Sequence, residues 1–171
     1  LYLDNTSDAR FGKLVSKTLF SRGLREGLSQ EFDPTSGSLV KEANYQRDVL
    51  NGSYEEYEGN TLVYEGEYVY GTEEGLHTRY RADGTLQRKQ TFESGVLNGL
   101  WADYHENGQL ASEGQYERGL KSGTWVQYRA DGSLALRVGY LANYRNGLEE
   151  RFDEQSQITS RESYRLGVLD G

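Results

Sequence analysis

Cysteine and methionine are both absent from the 171 residues, and proline occurs once, at Pro34. Without cysteine there can be no disulfide and no thiolate nucleophile or soft metal ligand. Only two histidines are present, His77 and His105, so neither a metal cluster nor a nucleophile–base pair is suggested. Both are expected at the surface. No segment approaches the roughly 18 apolar residues of a membrane-spanning helix, and none sustains helical periodicity. The Asp-Gly pairs lack the flanking acids of a calcium loop, and no phosphate loop occurs. The expectation is therefore a non-enzyme that carries no cofactor. A start at Leu1 with no methionine favours an exported, periplasmic protein with its leader removed, the alternative being cytoplasmic.

Positive charge is also scarce: 19 Lys and Arg against 27 Asp and Glu, a net of −8. The deficit is local. Residues 52–123 hold 13 acids and 6 bases, whereas residues 1–51 balance at 7 and 7. Such a chain repels phosphate, which makes nucleic acid and anionic bilayers poor partners and a basic protein a better one.

What the chain has in abundance is glycine and tyrosine, 21 and 14 residues, at regular intervals. Gly27, Gly52, Gly75, Gly99, Gly123, Gly147 and Gly171 stand 25, 23, 24, 24, 24 and 24 residues apart. Each follows an aromatic by seven residues: Phe20, Tyr45, Tyr68, Phe92, Tyr116, Tyr140 and Tyr164. One unit is thus used about seven times. Within it, Leu100, Ala102 and Tyr104 alternate as a half-buried strand does, and Leu110 and Tyr116, six apart, are expected on one face. Asp83-Gly84, Asn107-Gly108 and Asp131-Gly132 lie between such runs, pairs that tolerate positive φ and close a hairpin. A second glycine turn, such as Gly119 to Gly123, leads into the next unit. About thirteen strands are expected, in one domain over residues 1–171: a divergent cap at 1–26, regular repeats at 27–147 and a divergent last repeat at 148–171. Open sheet edges would offer a route to homo-oligomers.

The recurring Gly-x4-Tyr-x3-Gly-x-Leu-x5-Tyr-x2-Gly-x3-Gly resembles the MORN repeat in its bacterial variant form. The resemblance implies an all-β fold, an elongated, twisted, single-layer antiparallel sheet of about six to seven tandem β-hairpin repeats of 24 residues. It also implies a protein-binding role, of which an antitoxin or immunity protein that occludes a toxin or effector is the sharpest version. A self-assembling scaffold or tether is the alternative, with a lipid-associated one behind it.

Two features nominate contacts for a basic partner. Glu55, Glu56, Glu58, Glu65, Glu67, Glu73 and Glu74 precede any Lys or Arg in the middle of the chain. Two residues after each repeat glycine runs the column Ser29, Tyr54, His77, Trp101, Trp125 and Glu149. Period-two alternation turns this column away from the tyrosine columns, and a single layer offers nothing to cover it. Tyr54, His77, Trp101 and Trp125 are therefore candidate partner contacts, although bulky residues packing on both faces would explain them equally.

Overall fold

The structure is a computed structural model that describes residues 1–8 and 12–170; the repeat glycine Gly171 lies outside them. The described chain is all-β, an open antiparallel sheet whose strand order is the chain order. It falls into two compact units, Leu1–Gly84 and Thr85–Gly171. The first holds β1 (Tyr2–Asp8), β2 (Lys13–Ser21), β3 (Leu24–Phe32), β4 (Leu39–Gln46), β5 (Val49–Glu58), β6 (Thr61–Val69) and β7 (Thr72–Tyr80). The second holds β8 (Leu86–Glu93), β9 (Val96–Tyr104), β10 (Leu110–Glu117), β11 (Leu120–Tyr128), β12 (Leu134–Leu141), β13 (Tyr144–Phe152), β14 (Ile158–Arg165) and β15 (Val168–Leu169). The fifteen strands among the described residues exceed the expected thirteen because the opening segment pairs as β1 and the tail adds β15.

The two turns of each repeat exchange the roles the sequence suggested. The tight two-residue turn is the one between repeats. Arg118 and Gly119 both take positive φ, 51° and 80°, as do Tyr70 and Gly71 at 49° and 83°. That is the type I′ turn, whose twist matches the strands it joins. In the Asp-Gly turns only the glycine is left-handed, with φ of 83°, 81° and 84° at Gly84, Gly108 and Gly132. The preceding residue acts through its side chain instead: Asn107 Oδ1 accepts from the Gln109 amide at 3.1 Å, and Asp131 Oδ1 from Ser133 at 2.8 Å.

The 24-residue glycine period has a direct cause. Between Ser122 and Val126 the chain advances four residues while its partners, Gln115 and Glu113, advance two. The surplus is a bulge, and Gly123 sits in it at φ 68°. The same offset recurs at Gly75, between Glu74 and Thr78, and at Gly147, between Arg145 and Glu149. A left-handed residue inside a strand costs any side chain about 1–2 kcal/mol, so glycine recurs.

A second bulge follows the Asn107-Gly108 and Asp131-Gly132 turns and overturns an alternation argument. Leu110 pairs with Tyr104, but Ser112 already pairs with Asp103, so Ala111 is surplus. One extra residue reverses parity. Leu110 and Tyr116 therefore point to opposite faces, not to one.

Repeats are also clipped through side chains. Asn98 Oδ1 accepts from the Arg118 amide at 3.1 Å, Asn51 from Tyr70 at 2.9 Å and Asn146 from Leu166 at 3.3 Å. Each of these amides belongs to the first left-handed residue of the next tight turn, so the asparagine before a repeat glycine holds the following repeat.

Candidate functional site

Pairing register sorts the side chains of each unit onto two faces, one aromatic and one rich in carboxylates. On the aromatic face of the second unit Trp101, Tyr116, Trp125 and Tyr140 form an edge-to-face ladder, with ring centroids 5.5, 5.2 and 6.3 Å apart. In the first unit Tyr54, Tyr68 and His77 do the same at 5.6 and 5.4 Å. Edge-to-face contacts of this kind add about 0.5–1.5 kcal/mol each beyond area burial. The candidate column and the tyrosines from Tyr45 to Tyr164 therefore share a face. Gly99 pairs with Tyr116 and Trp101 with Gly114, so the alternation that predicted separation applies only to the other column, Tyr104 and its equivalents.

The expectation that nothing covers these rings is corrected for two of them. His77 is 1% exposed and Trp125 6%. Each ring lies on a glycine of the preceding strand: a Cβ at Gly66 would stand 2.3 Å from His77 Nδ1, and one at Gly114 2.2 Å from Trp125 Cδ2. His77 Nε2 donates to the Glu67 carbonyl at 2.9 Å, and Nδ1 lies 2.5 Å from the Tyr64 hydroxyl. Trp125 Nε1 donates to the Gln115 carbonyl at 3.2 Å. Burial first, and then the neighbouring Tyr68, raise the Tyr64 phenol, which stays a donor. Where the facing residue is Ala43 or Gln90, the ring stays half-buried and bonds along its own strand. Tyr54 donates to Glu56 at 2.6 Å and Trp101 Nε1 to Asp103 at 3.1 Å. Cations cover the ladder from outside: Arg88 lies 4.3 Å from the Trp101 ring, and Lys121 4.1 Å from that of Trp125.

At its ends the column turns polar without opening to water. Ser29, 4% exposed, shares a 2.8 Å hydrogen bond with Thr18. Glu149, also 4% exposed, is held by Arg145 at 2.9 Å and Arg151 at 2.6 Å. Burial pushes the Glu149 carboxyl up, but the two guanidinium hydrogen bonds outweigh it and the net shift is downward. The remaining histidine, His105, is half-buried, and its Nε2 donates to the Tyr128 carbonyl at 2.9 Å.

The seven acids divide between the faces. Glu56, beside Tyr54, and Glu73, paired with Tyr68, are on the aromatic side. Glu55, Glu65 and Glu67 are on the other, and Glu74 pairs with Glu67. Glu58 and Glu67 are exposed; the other five are half-buried. On the carboxylate face one row crosses β2 to β7 in direct register: Lys17, Gln30, Glu42, Glu55, Glu65 and Thr78. Three successive strands thus carry a glutamate. Glu42 accepts from Gln30 at 2.7 Å, Glu65 from the Tyr80 hydroxyl at 2.7 Å and Glu55 from Tyr57. These hydrogen bonds, with burial second, push the Tyr57 and Tyr80 phenols up to about 12. Glu42, which the strip of seven omitted, belongs to the row because β4 brings it opposite Glu55.

In the second unit the equivalent row reads Lys89, Ala102, Glu113, Val126, Arg137, Glu150 and Arg161. There acids are spaced by apolar or basic residues, and Glu150 is bridged by Arg137 at 3.3 Å and Arg161 at 2.7 Å. The bulges leave shallow depressions on this face, about 160 Å³ bordered by Ser53, Glu65, Glu67 and Leu76, and about 360 Å³ bordered by Leu100, Glu113 and Thr124. No group of three or more His, Asp and Glu among the described residues is arranged to hold a metal ion.

No curated protein matches the chain. Among solved structures, a crystal structure of TarM aligns at TM-score 0.36 and 9% identity, covering 61% of this chain and 21% of that one. A S. aureus TarM mutant in complex with Fondaparinux, alpha-GlcNAc-glycerol and UDP aligns at 0.32 and 8%, covering 84% and 21%. The chain spans about a fifth of the length of these structures. The family model of the MORN repeat variant matches residues 97–118, from the end of one repeat glycine's approach through β9 and β10 to the next tight turn. That segment, which the MORN repeat variant model matches, is one unit of the array whose bulges, turns and asparagine clips recur along the chain.

Proposed function

We propose that this chain is a non-catalytic protein-binding module that presents its carboxylate face to a basic protein, in the manner of an antitoxin or immunity protein occluding a toxin or effector. The repeat type points to a binding module. The observation that carries the finer reading is the Glu42, Glu55, Glu65 row. Like charges directly opposite on neighbouring strands are destabilising, by roughly 0.2–1 kcal/mol per pair. No ion pair among the described residues neutralises these three, and a cationic partner would relieve the repulsion on binding. Glu55, Glu65, Glu67 and the exposed Leu76 are the contacts in this reading. His77 lies on the opposite, aromatic face of the same strands.

The test is capture by the tagged chain from lysate and envelope fractions of its source, beside Glu55→Lys. A single stoichiometric basic protein, lost with Glu55→Lys, is the expected result. Recovery of the chain alone, or a partner indifferent to the charge reversal, sinks the reading.

A further inference from the structure

The carboxylate row of the first unit runs into an apolar hollow. Leu3, Leu19 and Leu28 border a cavity of about 280 Å³ on the same face, closed by Lys17 and Gln30. Leu3 pairs with Leu19 across β1 and β2, Lys17 pairs with Gln30 across β2 and β3, and Gln30 hydrogen-bonds Glu42. Hollow and row are thus continuous through Gln30. Leu3 is 45% exposed, so the hollow is open to a side chain from outside.

We infer that this hollow and the Glu42, Glu55, Glu65 row form one docking strip for an extended partner segment that carries an apolar side chain followed by basic residues. The inference rests on the protein-binding reading and specifies the partner's chemistry. Charge complementarity selects that occupant. Lys17 heads the row beside Gln30 and repels a cation from the hollow, while the three carboxylates attract one farther along the row. Each carboxylate engages a neutral donor, Gln30, Tyr57 or Tyr80, and retains acceptor sites for a cation. The span also fits. From β3 to β6 is three strand spacings, roughly 14 Å, which an extended chain covers in about four or five residues. The second unit offers no equivalent, because its row is interrupted by Arg137 and Arg161.

The experiment uses the full chain and fluorescein-labelled twelve-residue peptides, followed by fluorescence anisotropy at low and at 150 mM salt. One peptide carries leucine followed by lysines at alternate positions. A second replaces the leucine by serine, and a third replaces the lysines by glutamates. The leucine–lysine peptide is expected to bind at least tenfold more tightly than the serine peptide, and the glutamate peptide not at all. Leu3→Ser and the triple variant Glu42→Gln, Glu55→Gln, Glu65→Gln should each lose tenfold or more while keeping the wild-type circular dichroism spectrum. Equal binding of the leucine and serine peptides, or undiminished binding by either variant, overturns the strip. In parallel captures from lysate, a protein partner retained by both variants also overturns it and leaves the protein-binding reading standing. Selective peptide binding with no protein captured supports the strip and counts against that reading.

Discussion

His77 and Trp125 occupy the same place in two repeats, 48 residues apart. Each lays its ring on a glycine of the preceding strand, Gly66 or Gly114, and donates a ring N–H to the carbonyl of the next residue, Glu67 or Gln115. A histidine and a tryptophan are thus interchangeable supports here, because the site asks for a flat ring with one N–H at its edge. The partner that selects this geometry is the glycine.

Gly114→Ala tests that relation. Its φ is ordinary, so only the 2.2 Å approach to Trp125 resists a methyl group. A loss of about 1–3 kcal/mol is expected from overpacking. Combining it with Trp125→Ala should return most of that loss in a double-mutant cycle read by urea melts. Strict additivity would show that ring and glycine do not oppose each other.

The two tryptophans should differ. Trp125→Ala removes a buried ring at a cost of about 3–5 kcal/mol. Trp101→Ala, whose ring is half-buried, should cost roughly 1–2 kcal/mol by area. Denaturant midpoints of the two variants check this, and equal values would contradict the burial difference.

Glu55→Lys should separate stability from binding. Lysine would face Glu42 and Glu65 directly, turning two repulsive cross-strand pairs into attractive ones, a gain of about 0.5–1 kcal/mol. The gain should shrink in 1 M salt, where the screening length is about 3 Å. A more stable variant that no longer captures the partner is the expected outcome; a destabilised one would refute the repulsion argument.

Glu149 sets a pH dependence. Its carboxyl is held below the ordinary glutamate range in the folded chain by Arg145 and Arg151. A depressed folded pKa means that its contribution is present above the unfolded pKa and is lost as pH falls through the folded one. Thermal midpoints should therefore drop below about pH 4.5 more steeply in the wild type than in Glu149→Gln. Parallel curves would mean that the ion pairs contribute nothing.

Much of this was legible in the residues. The glycine period, the aromatic seven residues before it and the alternating runs determined a tandem hairpin array, because each reflects a backbone demand that recurs whatever surrounds it. The seven acids were visible too. Their division between faces was not, since the one-residue bulge after the hairpin turn reverses parity and no composition signal marks Ala111 or its equivalents as surplus. The motif Glu-Gly-x-Tyr, at Gly66 and Gly114, was the unread sign that the next ring would be buried.

The repeat, its hairpins and the places where glycine must bend the chain follow from local dihedral limits and are written in the residues. Which side chains meet is set by strand pairing. Pairing register brought Glu42, Glu55 and Glu65 into one row across three strands, and it laid His77 and Trp125 on glycines eleven residues away. Cross-strand neighbours depend on the running sum of bulges, and period-two counting along one strand cannot supply that sum.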